Sequence, residues 1–269
     1  MGVDLTNRVI VITGGGTGIG RATALACARA GMHVALGARR LKKLQAVADE
    51  VRALGTNAIA VECDVGRAED SITLLDRADA ELGPVYAAFA NAGYGFESRL
   101  LDTPDERIAE IMDTNFYGSM RLARPAIERM RSRGEGHFLF CSSCLSKLGV
   151  PYYAPYCMSK AAQDFAARSL RHELEPEGIA VTSIHPVGTR TDFFDTARAN
   201  SGGQTLADRT PSAMLQPPEA VAKRIVRKLR AGKGGEVWTG FTKRFPFAIS
   251  VMFPGLTDLL LRRMVAKRR

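Results

Sequence analysis

A doubly wound α/β fold on a parallel sheet of about seven strands is what this sequence predicts, and three observations predict it. Short apolar runs alternate with longer helical patterns. A glycine-rich segment falls between the first run and the first helix. No domain-sized linker interrupts the 269 residues, so a single domain is expected. Strands alternating with helices imply right-handed βαβ crossovers and helices on both faces of the sheet.

Residues 8–13 (RVIVIT) form a buried strand by their β-branched content. Residues 18–30 carry helical spacing. Residues 33–37 (HVALG) are a second strand, and 41–54 a helix with a charged face that Gly55 ends. Residues 58–62 are a third strand, 68–82 a helix ended by Gly83-Pro84, and 85–90 a fourth strand. Residues 104–131 read as one long helix, with Pro104 in its first turn and Pro125 as a kink point. A fifth strand at 137–142, a helix at 154–175, a sixth strand at 179–185, a helix at 218–230 and a short strand at 236–238 complete the series. Residues 188–216 lack clear periodicity and carry Asn200, Gly202, Gly203 and several threonines. So long a gap inside a compact domain is read as a functional loop, such as a lid.

Hydrophobic residues make up 46% and charged residues 24%, which excludes disorder and collagen-like repeats. No stretch of 18 apolar residues without a charge occurs, so a spanning helix is not expected. The first ten residues hold Asp4 and Arg8 and no apolar core, so a secretory signal is not expected either. Met1-Gly2 with Thr6 fits a short myristoylation pattern, set aside because the segment leads straight into a strand. The five cysteines, 27, 63, 141, 144 and 157, are odd in number and not spaced as a disulfide framework. A reducing, cytoplasmic compartment is the better reading. Residues 218–269 hold 13 Lys/Arg against 3 Asp/Glu, whereas the first 217 hold 24 against 25. The basic character therefore belongs to the C-terminal fifth and hints at an anionic partner there.

Thr13-Gly-Gly-Gly-Thr-Gly-Ile-Gly20 sits between the first strand and first helix, the context a dinucleotide loop requires. Gly14, Gly16 and Gly18 let the backbone turn tightly beside a pyrophosphate. Thr17 and Ile19 lie at the helix N-terminus, which supplies unpaired N–H groups and partial positive charge. This makes the chain a candidate Rossmann-like protein; the blander reading is a glycine-rich turn with no ligand. At the end of the second strand stand Ala38, Arg39 and Arg40, where a carboxylate would bind the ribose hydroxyl of NAD. Arg39 can pair with a 2′-phosphate in a charge-assisted fork, so NADP(H) is favoured over NAD(H). Against this stands the reading of both as solvated helix-start charges.

Tyr156 and Lys160 lie four apart at the start of a helix and share one face. A nearby ammonium favours phenolate, so Lys160 is expected to lower the Tyr156 pKa toward a range useful for general acid–base work. Ser143 follows the fifth strand, at the sheet edge where ligands bind in open parallel sheets. Its hydroxyl is placed to hydrogen-bond a carbonyl oxygen as charge develops.

With these residues in view, the chain resembles a classical short-chain dehydrogenase/reductase. The matching pieces span about residues 6–240: the glycine loop, Asp64-Val65, Asn91-Ala92-Gly93, Asn115-x-x-Gly118, Ser143, Tyr156-x-x-x-Lys160, and Pro186 with Thr191. The resemblance implies Tyr156 as proton donor in reduction and base in oxidation. It implies Lys160 at the nicotinamide ribose, Ser143 orienting the substrate oxygen, and Asn115 holding a water that links Lys160 to solvent. It also implies Asp64 and Val65 at the adenine, Asn91, Ala92 and Gly93 beside the cofactor ribose, and Thr191 near the nicotinamide amide or the pyrophosphate; Thr189 is a further candidate cofactor-binding residue. The cofactor carries the hydride. Two departures stand out: Pro186-Val187-Gly188 replaces the usual Pro-Gly, and the glycine loop lacks a basic residue, leaving Arg39 and Arg40 to set cofactor preference.

The expected organisation is a dinucleotide-binding and catalytic domain over 1–240, with a substrate loop at 188–216, followed by a basic, apolar extension over 241–269. The function expected is NADP(H)-dependent interconversion of an apolar ketone or aldehyde and its alcohol. The alternatives are a non-catalytic dinucleotide-binding regulator on the same fold and a thiol-redox protein using Cys141 and Cys144, whose C-x-x-C spacing is read first as coincidence. No metal site and no nucleic-acid partner are expected. Cys144 and Cys157 adjoin the proposed catalytic residues but are read as packing. His137 and His185 are read as core or rim. The extension is read as pocket wall, lid or subunit contact, or more sharply as a peripheral membrane anchor. A homodimer or homotetramer through 104–131 and 154–175 is implied by the resemblance.

Overall fold

The strand at Val9–Thr13 (β1) buries all five of its side chains, which is what an apolar β-branched run in the middle of a parallel sheet must do. This computed structural model describes residues 2–201, 215–239 and 241–266. The other strands are β2 (His33–Ala38), β3 (Ala58–Glu62), β4 (Val85–Ala90), β5 (Gly136–Cys141), β6 (Ile179–His185) and β7 (Gly235–Trp238). All pair in parallel, in the order β3-β2-β1-β4-β5-β6-β7. The chain starts at the centre, winds out to β3, then crosses to β4 and winds the other way. The crevice between β1 and β4 is therefore the switch point, where ligands bind at the carboxyl ends of strands.

The helices are α1 (Gly18–Ala28), α2 (Leu41–Arg52), α3 (Ala68–Leu82), α4 (Asp105–Met112), α5 (Gly118–Arg131), α6 (Ala154–Leu174), α7 (Phe193–Ser201), α8 (Pro218–Ala231), α9 (Phe241–Met252) and α10 (Pro254–Ala266). Alternate residues of β1 face opposite layers. Ile10 and Ile12 pack with Cys27 of α1, Leu44 of α2 and Ile225 of α8. Val9 and Val11 join Leu74 of α3, Leu122 of α5 and Ala167 of α6.

Three elements differ from the sequence reading. The single helix expected over 104–131 is divided by a π-helical stretch, Asp113–Tyr117, while Pro125 stays inside α5. The wider turn brings the Asn115 carbonyl to side-chain donors, Ser119 Oγ at 2.7 Å and Gln163 Nε2 at 2.7 Å. Within 188–216 a short helix forms, α7, with Phe193 N donating to Thr191 Oγ1 near its start. Only Ala197 of α7 is buried, so the sequence carries no apolar repeat to announce it. Gly202 and Gly203 lie outside the described residues. Beyond β7 the extension folds as two helices, and none of the described helices is long and apolar enough to cross a membrane alone.

Candidate active site

A cavity of about 810 Å³ opens at the carboxyl ends of the central strands, within the size range of small-molecule sites. Its floor is the glycine loop: Gly14, Gly16, Thr17, Gly18 and Ile19 all face it. Gly14 N donates to Gly37 O at 2.7 Å, and Asn91 Nδ2 reaches the carbonyls of Thr13 and Gly14 at 3.0 and 3.1 Å. Asn91 thus braces the loop from β4 while Ala92 and Gly93 continue the wall. No side chain caps α1 at Thr17, so its first N–H groups are left for an anion. Gly18 has φ +54°, and a Cβ there would come within 2.9 Å of Thr191. An acidic group held by backbone amides fits this cradle.

At one end of the cavity stand Asp64, Val65, Arg39 and Arg40, both arginines exposed. Lys43, in the first turn of α2, lines the same end, with its ammonium 3.8 Å from Asp192. Lys43 escaped the sequence reading, though its place four residues after Arg39 was the available signal. Thr189 and Thr191 flank the loop after β6. Thr189 Oγ1 accepts from Gln216 Nε2 at 3.1 Å, and Pro186 and Gly188 both reach the cavity despite the inserted Val187.

Ser143, Tyr156 and Lys160 meet at the other end. Ser143 follows β5, and its Oγ accepts from Leu145 N at 3.1 Å, fixing the turn at Cys144–Lys147. Tyr156 and Lys160 project from the first turns of α6. The Lys160 ammonium lies 5.8 Å from the Tyr156 ring centroid. It donates to Cys141 O at 2.7 Å and to Gln163 Oε1 at 2.9 Å, which leaves a third proton for the cavity. Burial pushes the Lys160 amine down to about 8. Burial raises the Tyr156 phenol above its ordinary value, and the Ser143 hydroxyl offsets only part of this. The lowering of the phenol expected from Lys160 is not met here, because desolvation dominates and the Ser143 hydrogen bond is the lowering contribution.

Asn115 is fully buried behind the wall rather than in it. Its Nδ2 donates to Tyr94 O and Ser159 Oγ, both at 2.9 Å, and its carbonyl accepts from Gln163. The Gln163 side chain joins the Asn115 carbonyl to the Lys160 ammonium. Gln163 lay within reach of sequence reasoning, three residues past Lys160 on the same helix face.

Around Tyr156 the walls are apolar. Phe193 of α7 lies 5.3 Å from the Tyr156 ring and Tyr153 lies 6.5 Å away. Phe96, Ile111 and Val150 back them. Gly95 makes room for Phe193, since a Cβ there would stand 2.7 Å from the ring. The five cysteines are buried and unpaired. Burial pushes the Cys144 thiol up to about 12, which leaves little thiolate for redox exchange with Cys141. His185 is fully buried beneath the turn, with Nδ1 3.1 Å from Ser143 O and its ring stacked on Trp238.

The family described as short chain dehydrogenase matches residues 8–202. An uncharacterized oxidoreductase of Myxococcus xanthus (strain DK1622) is 36% identical over 72% of this chain and 76% of its own length. A short-chain type dehydrogenase/reductase from Mycobacterium marinum superposes with a TM-score of 0.78 at 31% identity, covering 89% of this chain and 97% of that one. An alcohol dehydrogenase from the archaeon Thermococcus sibiricus, solved with 5-hydroxy-NADP, gives 0.74 at 27% identity over 86% and 94% of the two chains.

Proposed function

The chain belongs to the short-chain dehydrogenase family and is an oxidoreductase of that family, and from that premise we propose an NADP(H)-dependent enzyme that interconverts an apolar ketone or aldehyde and its alcohol. One observation carries the reading. The Ser143 hydroxyl, the Tyr156 phenol and the Lys160 ammonium share a cavity with an uncapped, glycine-lined helix N-terminus.

Gly14, Gly16, Thr17, Gly18 and Ile19 would hold the pyrophosphate, with Asn91, Ala92 and Gly93 along the ribose and Asp64 and Val65 at the adenine. Arg39 and Arg40, joined by Lys43, would take a 2′-phosphate as charge-assisted donors. Lys160 would donate its remaining N–H as a hydrogen bond to the nicotinamide ribose, and Thr189 and Thr191 would lie beside the nicotinamide. When bound, the cofactor supplies or accepts the hydride.

The chain's own part is proton transfer and orientation. A buried phenol with a raised pKa is a neutral acid at neutral pH, the form that donates a proton to a carbonyl oxygen. Ser143 would donate a hydrogen bond to that oxygen as charge builds on it. Asn115 acts at one remove, through Gln163 and Lys160. Tyr153, Phe193 and Phe96 exclude water and suit an apolar substrate. The reading includes a reducing, cytoplasmic setting for the five thiols. It also includes self-association through α4–α6, where Tyr117, Met158 and Phe165 are exposed.

Tyr156→Phe is the test. Turnover of an apolar carbonyl with NADPH should fall by roughly a hundredfold to ten-thousandfold with folding intact. Near-full activity would refute the mechanism. A dinucleotide-binding regulator would bind NADPH yet show no turnover with any carbonyl.

A further inference from the structure

The two C-terminal helices leave the sheet and bend away. α9 packs on β7 and on the Cys144–Lys147 turn, whereas α10 packs mainly on α9. Their axes turn by 109° at Phe253. Val251, Met252, Phe253, Leu256 and Leu260 gather at this elbow, each more than half exposed. Between Val251 and Leu260 the one charged residue is Asp258. The distal ends of both arms are basic and exposed: Arg244 on α9, Arg262 and Arg263 on α10. Lys267, Arg268 and Arg269 follow in sequence. Over 241–269 the chain carries seven Lys/Arg against one acidic residue.

We propose that this elbow docks the protein on an anionic bilayer surface, with the Val251–Leu260 vertex sunk into the acyl boundary and the basic arm ends on the headgroups. The dimensions fit. At 1.5 Å per residue the arginines stand on the order of 13 Å along each arm from the vertex, while interfacial helices bury their apolar side about 5–10 Å deep. Helices of 12 and 13 residues are too short to span, where about 20 are needed, so the elbow lies in one leaflet. Charge separates a lipid surface from a second copy of the chain. Pairing two elbows would bring like cationic arms together, whereas anionic headgroups neutralise them.

The placement bears on the site. The turn that follows Ser143 has one side in the catalytic cavity, at Cys144 and Leu145. On its other side, Lys147, Leu148 and Gly149 face Val251, Pro254 and Leu261 across a small cleft. Docking by the elbow would therefore hold one wall of the catalytic cavity close to the bilayer. The proposal itself concerns binding and stands whether or not the oxidoreductase reading does.

Flotation of the full chain with vesicles tests it. The protein should float with vesicles of phosphatidylcholine and phosphatidylglycerol, stay down with phosphatidylcholine alone, and release as salt rises. The double variant L256E/L260E should lose flotation, and R262E/R263E should weaken it at least tenfold. Trp238, the sole tryptophan, packs 5.8 Å from Phe247 of α9, so unchanged emission certifies that the extension is still seated. If L256E/L260E misfolds, F253S at the bend takes its place. Wild-type protein that stays down with phosphatidylglycerol vesicles, or acidic variants that float as well as wild type, would overturn the proposal. So would light scattering in which L256E/L260E splits an oligomer while wild type binds no vesicle, since the partner would then be a second copy.

Discussion

Lys160 Nζ donates to Gln163 Oε1 at 2.9 Å, and the same amide passes its own N–H to Asn115 O at 2.7 Å and to Ser119 Oγ at 2.5 Å. Gln163 is fully buried, so this relay is closed to solvent at that point. It fixes the ammonium from behind while leaving one proton for the cavity. Gln163→Glu puts a carboxylate against the ammonium and should move the alkaline limb of kcat/KM upward by about one unit or more. Gln163→Leu removes an acceptor from a buried ammonium, so the limb should move down and stability should fall by about 1–3 kcal/mol. Three superimposable pH profiles would reduce Gln163 to packing.

The wild-type pH profile follows from the Lys160 amine itself. Burial lowers it from 10.5 to about 8, so the ammonium is present below that value and lost above it. If the charge holds the ribose, carbonyl reduction should decline as pH rises through about 8. Lys160→Met should abolish this limb along with most turnover. A wild-type rate that stays flat to pH 10 would detach Lys160 from the chemistry.

In the proposed reading, the preference for NADP(H) rests on the cationic end of the cavity. Charge-assisted hydrogen bonds contribute about 1.5–3 kcal/mol each, and about 1.4 kcal/mol is tenfold in affinity. Arg39→Ala with Arg40→Ala should therefore raise the NADPH KM by about ten- to a hundredfold and leave NADH nearly unchanged. Lys43→Ala should add a smaller loss, because its ammonium is shared with Asp192. Equal losses for both cofactors would mean these residues only shape the pocket.

What the sequence announced and what it withheld divide along a physical line. Strands β3, β4 and β6 fall on the expected residues, because a buried parallel strand is a continuous apolar run and nothing else nearby resembles one. The glycine loop, Ser143 and the Tyr156–Lys160 pair lie at fixed spacings beside strand ends, so their convergence on one cavity follows from topology. The π-helical stretch at Asp113–Tyr117 was illegible because it goes with a tertiary contact, the Gln163 amide of another helix donating to the Asn115 carbonyl. The raised phenol of Tyr156 was missed for a similar reason. Spacing brings Lys160 within range but does not report how completely Tyr153, Phe193 and their neighbours exclude water.

Behind the turn that follows Ser143 lies a charged cluster that should carry stability rather than chemistry. Lys147 Nζ donates to Asp164 Oδ2 at 2.6 Å and Glu236 Oε1 at 2.9 Å, and His185 Nε2 lies 3.3 Å from Asp164 Oδ1. Asp164, His185 and Glu236 stand close enough to bind a cation, but the Lys147 ammonium already bridges the two carboxylates. Burial would raise the Asp164 carboxyl, yet the adjacent His185 and the Lys147 hydrogen bond outweigh it and hold the group below the ordinary carboxylate range. A carboxyl lowered on folding stabilises the fold above its unfolded value near 3.8, and that contribution is lost as pH falls further. Asp164→Asn leaves Lys147 with Glu236 as its remaining carboxylate and should cost about 1–3 kcal/mol at pH 7. The gap to wild type in urea unfolding should narrow below pH 4, as the carboxyl of the unfolded chain takes up its proton while the folded one stays charged. A gap that keeps its size from pH 7 to pH 3 would show that the Asp164 charge contributes nothing to the fold.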